Sequence, residues 1–129
     1  MIKPTVLIVD DEPLISLMVA VVFEEAGFEV ITVANAAEAE QISHKNENLA
    51  AIVTDIQLGK GPNGWAVAVD ARTRLPRIPI VYVTGDSASD WAAFGVPRSV
   101  LVQKPFVAAQ VLAAVMKLMN EDNISVSAD

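Results

Sequence analysis

The sequence predicts an α/β protein in which a doubly wound, five-stranded parallel sheet carries helices on both faces. Short apolar runs that stop abruptly on polar residues are typical of strands buried on both faces of a parallel sheet. These runs alternate with stretches of helical periodicity, and right-handed crossovers join such strands into a parallel sheet. The composition agrees, because 53% of the residues are hydrophobic but only 5% are aromatic, which fits a sheet covered by aliphatic side chains.

Five strands are expected, and the third organises the rest. The run Leu49–Asp55 is almost wholly apolar and ends on a carboxylate, so we place it in the centre of the sheet. Three other runs have the same form. They are Thr5–Val9 before Asp10 and Asp11, residues 78–83 before Thr84, and residues 99–102 before Gln103 and Lys104. Residues 28–33 give the remaining strand, the second along the chain.

The first helix follows the first strand. Pro13 suits its first turn, and Gly27 stops it. Its apolar residues recur at spacings of three and four, which predicts that they face the core. They are Leu14, Leu17, Met18, Val21 and Val22. Val19, Ala20 and Phe23 make the helix unusually apolar, so either it is deeply covered or its face docks a partner.

Three further helices lie between the second and fifth strands. Residues 36 to about 45 form the predicted second helix, with Asn35 as its N-cap. Residues 65 to about 74 form the third, which follows a turn-rich loop over residues 59–64. The stretch between Gly85 and Pro97 is poorly patterned, and within it residues 87–94 are long enough for only two turns of a fourth helix.

The fifth helix is predicted from residue 106 to about residue 120, and residues 121–129 are expected to be a frayed tail. One face of this helix is apolar. It carries Val107, Val111, Ala114, Val115 and Leu118. The chain of 129 residues has the usual size of one domain, so we expect a single domain over residues 1–129 with its core in residues 3–120.

Composition and charge exclude several functional classes. No apolar stretch reaches the roughly 18 residues that a membrane span needs, and no signal peptide precedes the first strand, so a cytoplasmic location is expected. The absence of cysteine excludes disulfides and thiolate metal sites. A net charge of -7 argues against nucleic-acid binding, which needs a basic surface. A protein partner or a cation fits better.

The polar residues that end the strands carry the chemistry. In open α/β sheets the ligand crevice lies outside the carboxyl ends of the strands, so Asp10, Asp11, Asp55, Thr84 and Lys104 are predicted to converge there. Two like charges about 4 Å apart repel by roughly 4 kcal/mol at an effective dielectric of 20, so three carboxylates call for a cation, and Mg²⁺ fits best. The lysine ammonium and the threonine hydroxyl complete the predicted metal-assisted phosphoryl site.

The motif residues at this edge are Asp10-Asp11-Glu12, Asp55, Thr84 and Lys104-Pro105-Phe106. In this order and spacing they resemble the receiver domain of two-component response regulators, and the resemblance covers residues 3 to about 120. It implies a flavodoxin-like fold with strand order 2-1-3-4-5. It also implies that Asp55 is phosphorylated by a histidine kinase or a histidine phosphotransfer protein. By the same resemblance Asp11, Asp55 and the backbone carbonyl of Gln57 bind Mg²⁺, and Asp10 acts mainly through water.

The resemblance also assigns roles to Thr84 and Lys104. Thr84 and Lys104 bind the phosphoryl group, and the Lys104-Pro105 peptide bond is cis. One departure is Leu101, which stands where many receivers carry an aromatic residue, so the response is predicted to pass through Thr84 and the loop after it. Residues 79–85 partly resemble the proline-to-Thr-Gly motif of an atypical receiver group, the FATGUY type.

Because the chain ends soon after the fifth helix, we expect a stand-alone receiver without an output domain. We expect a signalling switch, not an enzyme beyond its own phosphoryl uptake and autodephosphorylation. A downstream protein target is expected as a partner, and the oligomeric state is expected to be a monomer or weak dimer. The alternative is a phosphate sink that drains phosphoryl groups from the kinase or phosphotransfer protein. Two further readings fit less well. A phosphorylation-independent module leaves Asp55 without a purpose, and a flavin phosphate needs amides where Asp10 and Asp11 lie.

Overall fold

The computed structural model describes residues 3–86 and 88–128, without the side chains of residues 88 and 122–128. The strands are β1 (Thr5–Val9), β2 (Glu29–Val33), β3 (Leu49–Asp55), β4 (Ile80–Thr84) and β5 (Ser99–Gln103). The helices are α1 (Pro13–Glu25), α2 (Ala36–Lys45), α3 (Gly64–Arg74), α4 (Trp91–Phe94) and α5 (Ala108–Ala128), with a 3-10 turn at Ala88–Asp90. Within these residues no helix is both long and apolar enough to cross a membrane.

The five strands form one parallel sheet in the order β2-β1-β3-β4-β5, which confirms the predicted flavodoxin-like fold. The register aligns the carboxyl ends of the four strands that carry the motif residues. Val9 pairs with Thr54, and Asp55 pairs with Val83. Thr84 in turn pairs with Gln103. Residues that follow these pairs therefore leave the sheet at one common edge.

A hydrophobic core lies on each face of the sheet. On one face α2 and α3 pack against alternate strand residues. There the fully buried Tyr82 contacts Trp65, with the two rings tilted and their centres 4.6 Å apart. On the other face α1 and α5 pack around Phe23 and Val111. Since successive strand residues point to opposite faces, a strand between two cores must be apolar throughout, which explains the uninterrupted apolar runs.

The buried face of α1 differs from the prediction. Four of the residues assigned to the core are exposed: Leu14 (79%), Leu17 (60%), Met18 and Val21. The residues that face the sheet are Ser16, Val19, Ala20 and Phe23. A helix that is apolar on nearly every side does not identify its buried face by periodicity alone. Here Phe23, which packs edge-to-face against Phe28 at 5.2 Å, lies on the face turned to the sheet.

The fourth helix agrees with expectation, and the fifth departs from it. Helix α4 has four residues after a single 3-10 turn, close to the two turns predicted. Helix α5 begins at Ala108 because Val107 occupies its N-cap position, where its amide donates to Gln110 Oε1 at 2.9 Å. Val107 is 65% exposed and precedes the helix, so its placement on the apolar face of the fifth helix was wrong. The helix continues to Ala128, beyond the predicted end and through the expected frayed tail, since no glycine or proline interrupts it.

Candidate functional site

Four carboxylates converge at the carboxyl edge of the sheet. Asp10, Asp11 and Glu12 follow β1, and Asp55 ends β3, and one oxygen from each lies within 4.8 Å of the others. Asp10 and Asp55 are each only 5% exposed, whereas Asp11 and Glu12 face solvent. The structure therefore brings together the three aspartates that the sequence singled out, and it adds Glu12.

Backbone amides orient the two buried carboxylates. Asp10 Oδ1 accepts a hydrogen bond of 2.8 Å from the Glu12 amide, and Asp55 Oδ1 accepts one of 3.2 Å from the Gln57 amide. Each bond joins an aspartate to the amide two residues later, the usual geometry by which aspartate begins a turn. One oxygen of each carboxylate is thus held at the strand end. The Gln57 carbonyl, expected from the resemblance to bind a metal, stays a prediction.

Lys104 brings the positive charge. Its Nζ donates to Asp55 Oδ2 at 3.2 Å and to Glu12 Oε1 at 3.0 Å. Its backbone amide donates to the Thr84 carbonyl at 2.8 Å, which fixes the lysine next to the end of β4. The following peptide bond, to Pro105, is cis, as the resemblance implied.

Burial and crowding shift the proton affinities of the site. The pKa of Asp10 is raised to about 6, mainly by burial. The hydrogen bond from the Glu12 amide opposes this rise, and the charge of Asp55 contributes to it. Burial likewise raises the pKa of Asp55, against the opposing effect of Lys104. Burial alone would lower the pKa of Lys104, but its hydrogen bond to Glu12 and the aspartate charges outweigh that and raise it. Burial is thus the largest cause of the raised pKa at both aspartates, and the neighbouring carboxylate charges add to it.

Thr84 ends β4 at the same edge. Its side chain is buried, and its residue follows Val83, the partner of Asp55 across the sheet. Its Oγ1 accepts a hydrogen bond of 3.3 Å from the Asp86 amide. Thr84 therefore lies beside the strand end that carries Asp55.

Two glycines bring the β3–α3 loop back onto the site. Gly59 has a φ of 76°, and a Cβ there would lie 3.7 Å from Asp11 Oδ2. At Gly64 a Cβ would overlap the Asp55 carbonyl oxygen and lie 2.9 Å from Ile56 Cα. The Gly64 amide donates to the Ile56 carbonyl at 2.8 Å. Sequence reasoning treated this stretch only as a turn-rich loop and missed the close approach.

Glu12 was also missed as a contributor, although it stands in the quoted motif. The available signal was its position, because a third carboxylate directly after Asp10 and Asp11 leaves the same strand end. What the sequence could not give is the direction of its side chain toward Lys104.

Comparison with known proteins agrees with this geometry. The family model of the response regulator receiver domain matches residues 6–116. The chain therefore belongs to the response regulator receiver domain family of two-component signalling. It is also 30% identical over 115 residues to the phyllosphere-induced regulator PhyR of Methylorubrum extorquens, covering 88% of this chain and 43% of PhyR. The chain thus spans less than half the length of that relative.

Solved structures give the same result. A response regulator receiver protein from Sinorhizobium medicae is 39% identical, with a TM-score of 0.88 and coverage of 92% of this chain and 95% of that one. The response regulator TrrA from Thermotoga maritima, in complex with Mg²⁺ and BeF, is 27% identical, with a TM-score of 0.77 and coverage of 90% and 99%. Assignment to the FATGUY group stays a prediction.

Proposed function

We propose that this receiver accepts a phosphoryl group on Asp55 with the help of Mg²⁺ and passes the signal on through protein–protein contacts. The observation that carries the proposal is the setting of the Asp55 carboxylate. It is buried at the end of the central strand, with Oδ1 held by the Gln57 amide and Oδ2 paired with Lys104. An acceptor held between a fixed amide and a cation is prearranged for phosphoryl transfer.

The donor set fits Mg²⁺. Carboxylate oxygens are hard ligands, and Mg²⁺ is usually held by one or two carboxylates together with waters and a phosphoryl oxygen. Asp11 and Asp55 would supply the carboxylates and Gln57 a backbone carbonyl, while Asp10 would act through water. The bound ion neutralises charge on the phosphoryl group. Support comes from the convergence of the four carboxylates and from TrrA, which is described with Mg²⁺ and BeF.

Apart from the ion, the protein groups that the transfer needs all lie at this edge of the sheet. A carboxylate oxygen of Asp55 attacks the phosphorus of a phosphohistidine, the P–N bond breaks with its electron pair on the imidazole, and an acyl phosphate forms on Asp55. Lys104 exchanges its hydrogen bond to Asp55 for one to the phosphoryl oxygens. Thr84 donates its hydroxyl proton to the same oxygens. The reaction modifies the protein's own side chain, so we propose a receiver rather than an enzyme for a separate substrate.

The exposed apolar face of α1 supports docking of the phosphodonor. Leu14, Leu17, Met18 and Val21 are exposed, and the helix begins directly after the acidic motif. A histidine kinase or phosphotransfer protein that covers this face would therefore lie next to the edge of the sheet that carries Asp55. We expect Leu17→Ser to slow transfer from the organism's purified kinases while labelling by acetyl phosphate continues. Equal losses with both donors would argue against docking here.

The proposal is tested by labelling with acetyl phosphate and Mg²⁺. Intact mass spectrometry should show one added phosphoryl group on the wild type and none on Asp55→Asn, with the label mapped to the peptide that contains residue 55. Persistent labelling of Asp55→Asn would falsify the assignment.

The same preparation separates the switch from the phosphate sink. A phosphoryl lifetime of minutes or longer fits a switch that must find its target, and a lifetime of seconds fits a sink. We favour the switch because the chain after Thr84 has a short helix, α4, with no buried residue, which leaves that segment free to rearrange.

A further inference from the structure

Glu12 lies at the mouth of the site in a position that its backbone fixes. Its amide donates to Asp10 Oδ1 at 2.8 Å, and its carbonyl accepts from the amides of Ile15 and Ser16, both at 3.1 Å. Glu12 is the N-cap residue of α1, yet its side chain makes no capping hydrogen bond. The carboxylate is directed instead to Lys104.

That carboxylate competes for the cation of the site. Lys104 Nζ lies 3.0 Å from Glu12 Oε1 and 3.2 Å from Asp55 Oδ2, so the ammonium is shared between the acceptor and a residue that takes no part in the transfer. Glu12 is 59% exposed, whereas Asp55 is 6% exposed. A donor that approaches from solvent therefore meets the negative charge of Glu12 before it reaches Asp55.

Two consequences follow for a negatively charged phosphodonor. The Glu12 carboxylate repels it, and the ion pair with Glu12 offsets part of the positive charge that Lys104 offers to phosphoryl oxygens. Both effects grow with the charge on the donor. A protein donor can offset them with the free energy of docking, which a small molecule lacks.

We propose that Glu12 is a specificity-determining residue that slows phosphorylation of Asp55 by free dianionic acyl phosphates relative to less charged or docked donors. The inference rests on the proposed function and deepens it. With acetyl phosphate, Asp55 attacks phosphorus and acetate leaves with the electron pair of the P–O bond. With phosphoramidate, which is a monoanion near neutral pH, the P–N bond breaks and ammonia leaves. The acyl phosphate product is the same, so only the charge of the donor differs.

The test compares initial rates of Asp55 labelling by the two donors in the full chain at saturating Mg²⁺. Glu12→Gln should raise the rate with acetyl phosphate about three- to tenfold and the rate with phosphoramidate about two- to threefold. The larger effect is expected for acetyl phosphate because it carries two negative charges near the partly screened carboxylate, whereas phosphoramidate carries one. The ratio of the two rates is the readout, because a purely structural change in the site alters both rates alike. At about 1 M salt, where the Debye length is roughly 3 Å, the change in ratio should shrink toward one.

Two further variants complete the design. Glu25→Gln removes a carboxylate that is exposed at the other end of the same helix, so it controls for net charge and should leave the ratio unchanged. Glu12→Asp keeps the charge on a shorter side chain and should behave more like the wild type than Glu12→Gln does. A wild-type chain that labels on Asp55 while Glu12→Gln gives the same ratio as Glu25→Gln overturns this inference alone. A wild-type chain that does not label at all overturns the proposed function as well.

Discussion

Two parts of the site meet at one edge of the sheet but are held in different ways. The acceptor side consists of the carboxylates after β1 and β3, and the threonine side consists of residues 84–86 and 88–95. Asp10 and Asp55 are each 5% exposed, and a backbone amide holds each carboxylate. In contrast, no residue of α4 is buried, and Phe94 is 57% exposed. The chemistry is thus fixed by regular strands, while the segment with little buried surface is the one that can rearrange.

The contacts that anchor the threonine side lie at Trp91 and just beyond its end. The Trp91 indole Nε1 donates to Ser99 Oγ at 3.0 Å. The Arg72 guanidinium donates to the carbonyls of Pro97 and Arg98 at 2.8 and 3.1 Å. The Val96 amide donates to the hydroxyl of the buried Tyr82 at 3.1 Å. Between Thr84 and Trp91 the backbone can change without disturbing β4 or β5, whereas movement of Trp91 itself must break its hydrogen bond to Ser99. We therefore expect movement within residues 85–95.

A pair of glycine substitutions gives the largest expected difference between the two sides. Gly64→Ala places a Cβ against the Asp55 carbonyl and should lower the free energy of unfolding by roughly 3 kcal/mol or more, although helix propensity alone predicts a gain of about 1 kcal/mol. Gly85→Ala meets only Lys104 Cβ at 3.9 Å and should stay within about 1 kcal/mol of the wild type. Urea unfolding measures both. Equal effects would mean that the acceptor side is no more tightly packed than the threonine side.

A substitution on the acceptor side is expected to give a pH-dependent gain in folding stability. Burial raises the pKa of Asp10 from 3.8 to about 6, so the folded state binds this proton more tightly, and the charged form costs stability above pH 6 but not below pH 4. Asp10→Asn should therefore stabilise the metal-free protein at pH 8 by about 2 kcal/mol and by nothing at pH 4. Glu25→Gln is the control for net charge. A stabilisation equal at both pH values would contradict this origin.

The loss of a metal ligand on the acceptor side should have a smaller energetic effect than the Asp10→Asn substitution. Asp11→Asn removes one proposed Mg²⁺ ligand and should weaken Mg²⁺ binding at least about tenfold, or roughly 1.4 kcal/mol. Titration followed by tryptophan fluorescence or NMR shifts measures it, since Trp65 lies close to the β3–α3 loop. Asp90→Asn changes a carboxylate on the threonine side and should leave the affinity within about twofold. An unchanged titration for Asp11→Asn would show that the metal assignment is wrong.

The sequence predicts those features of the fold that burial determines. A strand between two cores must be apolar, and parallel strands end together, so the sheet and the convergence of Asp10, Asp11 and Asp55 could be predicted. The buried face of α1 could not, because apolar side chains surround the helix and Leu17 is exposed. The close approach at Gly64 depends on the path of a loop, which local patterns do not encode.

The central claim is that a phosphoryl group on Asp55 acts through Thr84 on a loosely held segment while the acceptor side stays fixed. Hydrogen exchange with and without beryllofluoride, a phosphoryl mimic, tests it most directly. One charge-assisted hydrogen bond from Thr84, worth roughly 1.5–3 kcal/mol, is enough to shift a two-state equilibrium. We predict that protection changes concentrate in residues 85–95 and disappear in Thr84→Ala. Changes centred on Leu101 with residues 85–95 unaltered, or a full response in Thr84→Ala, would contradict the account.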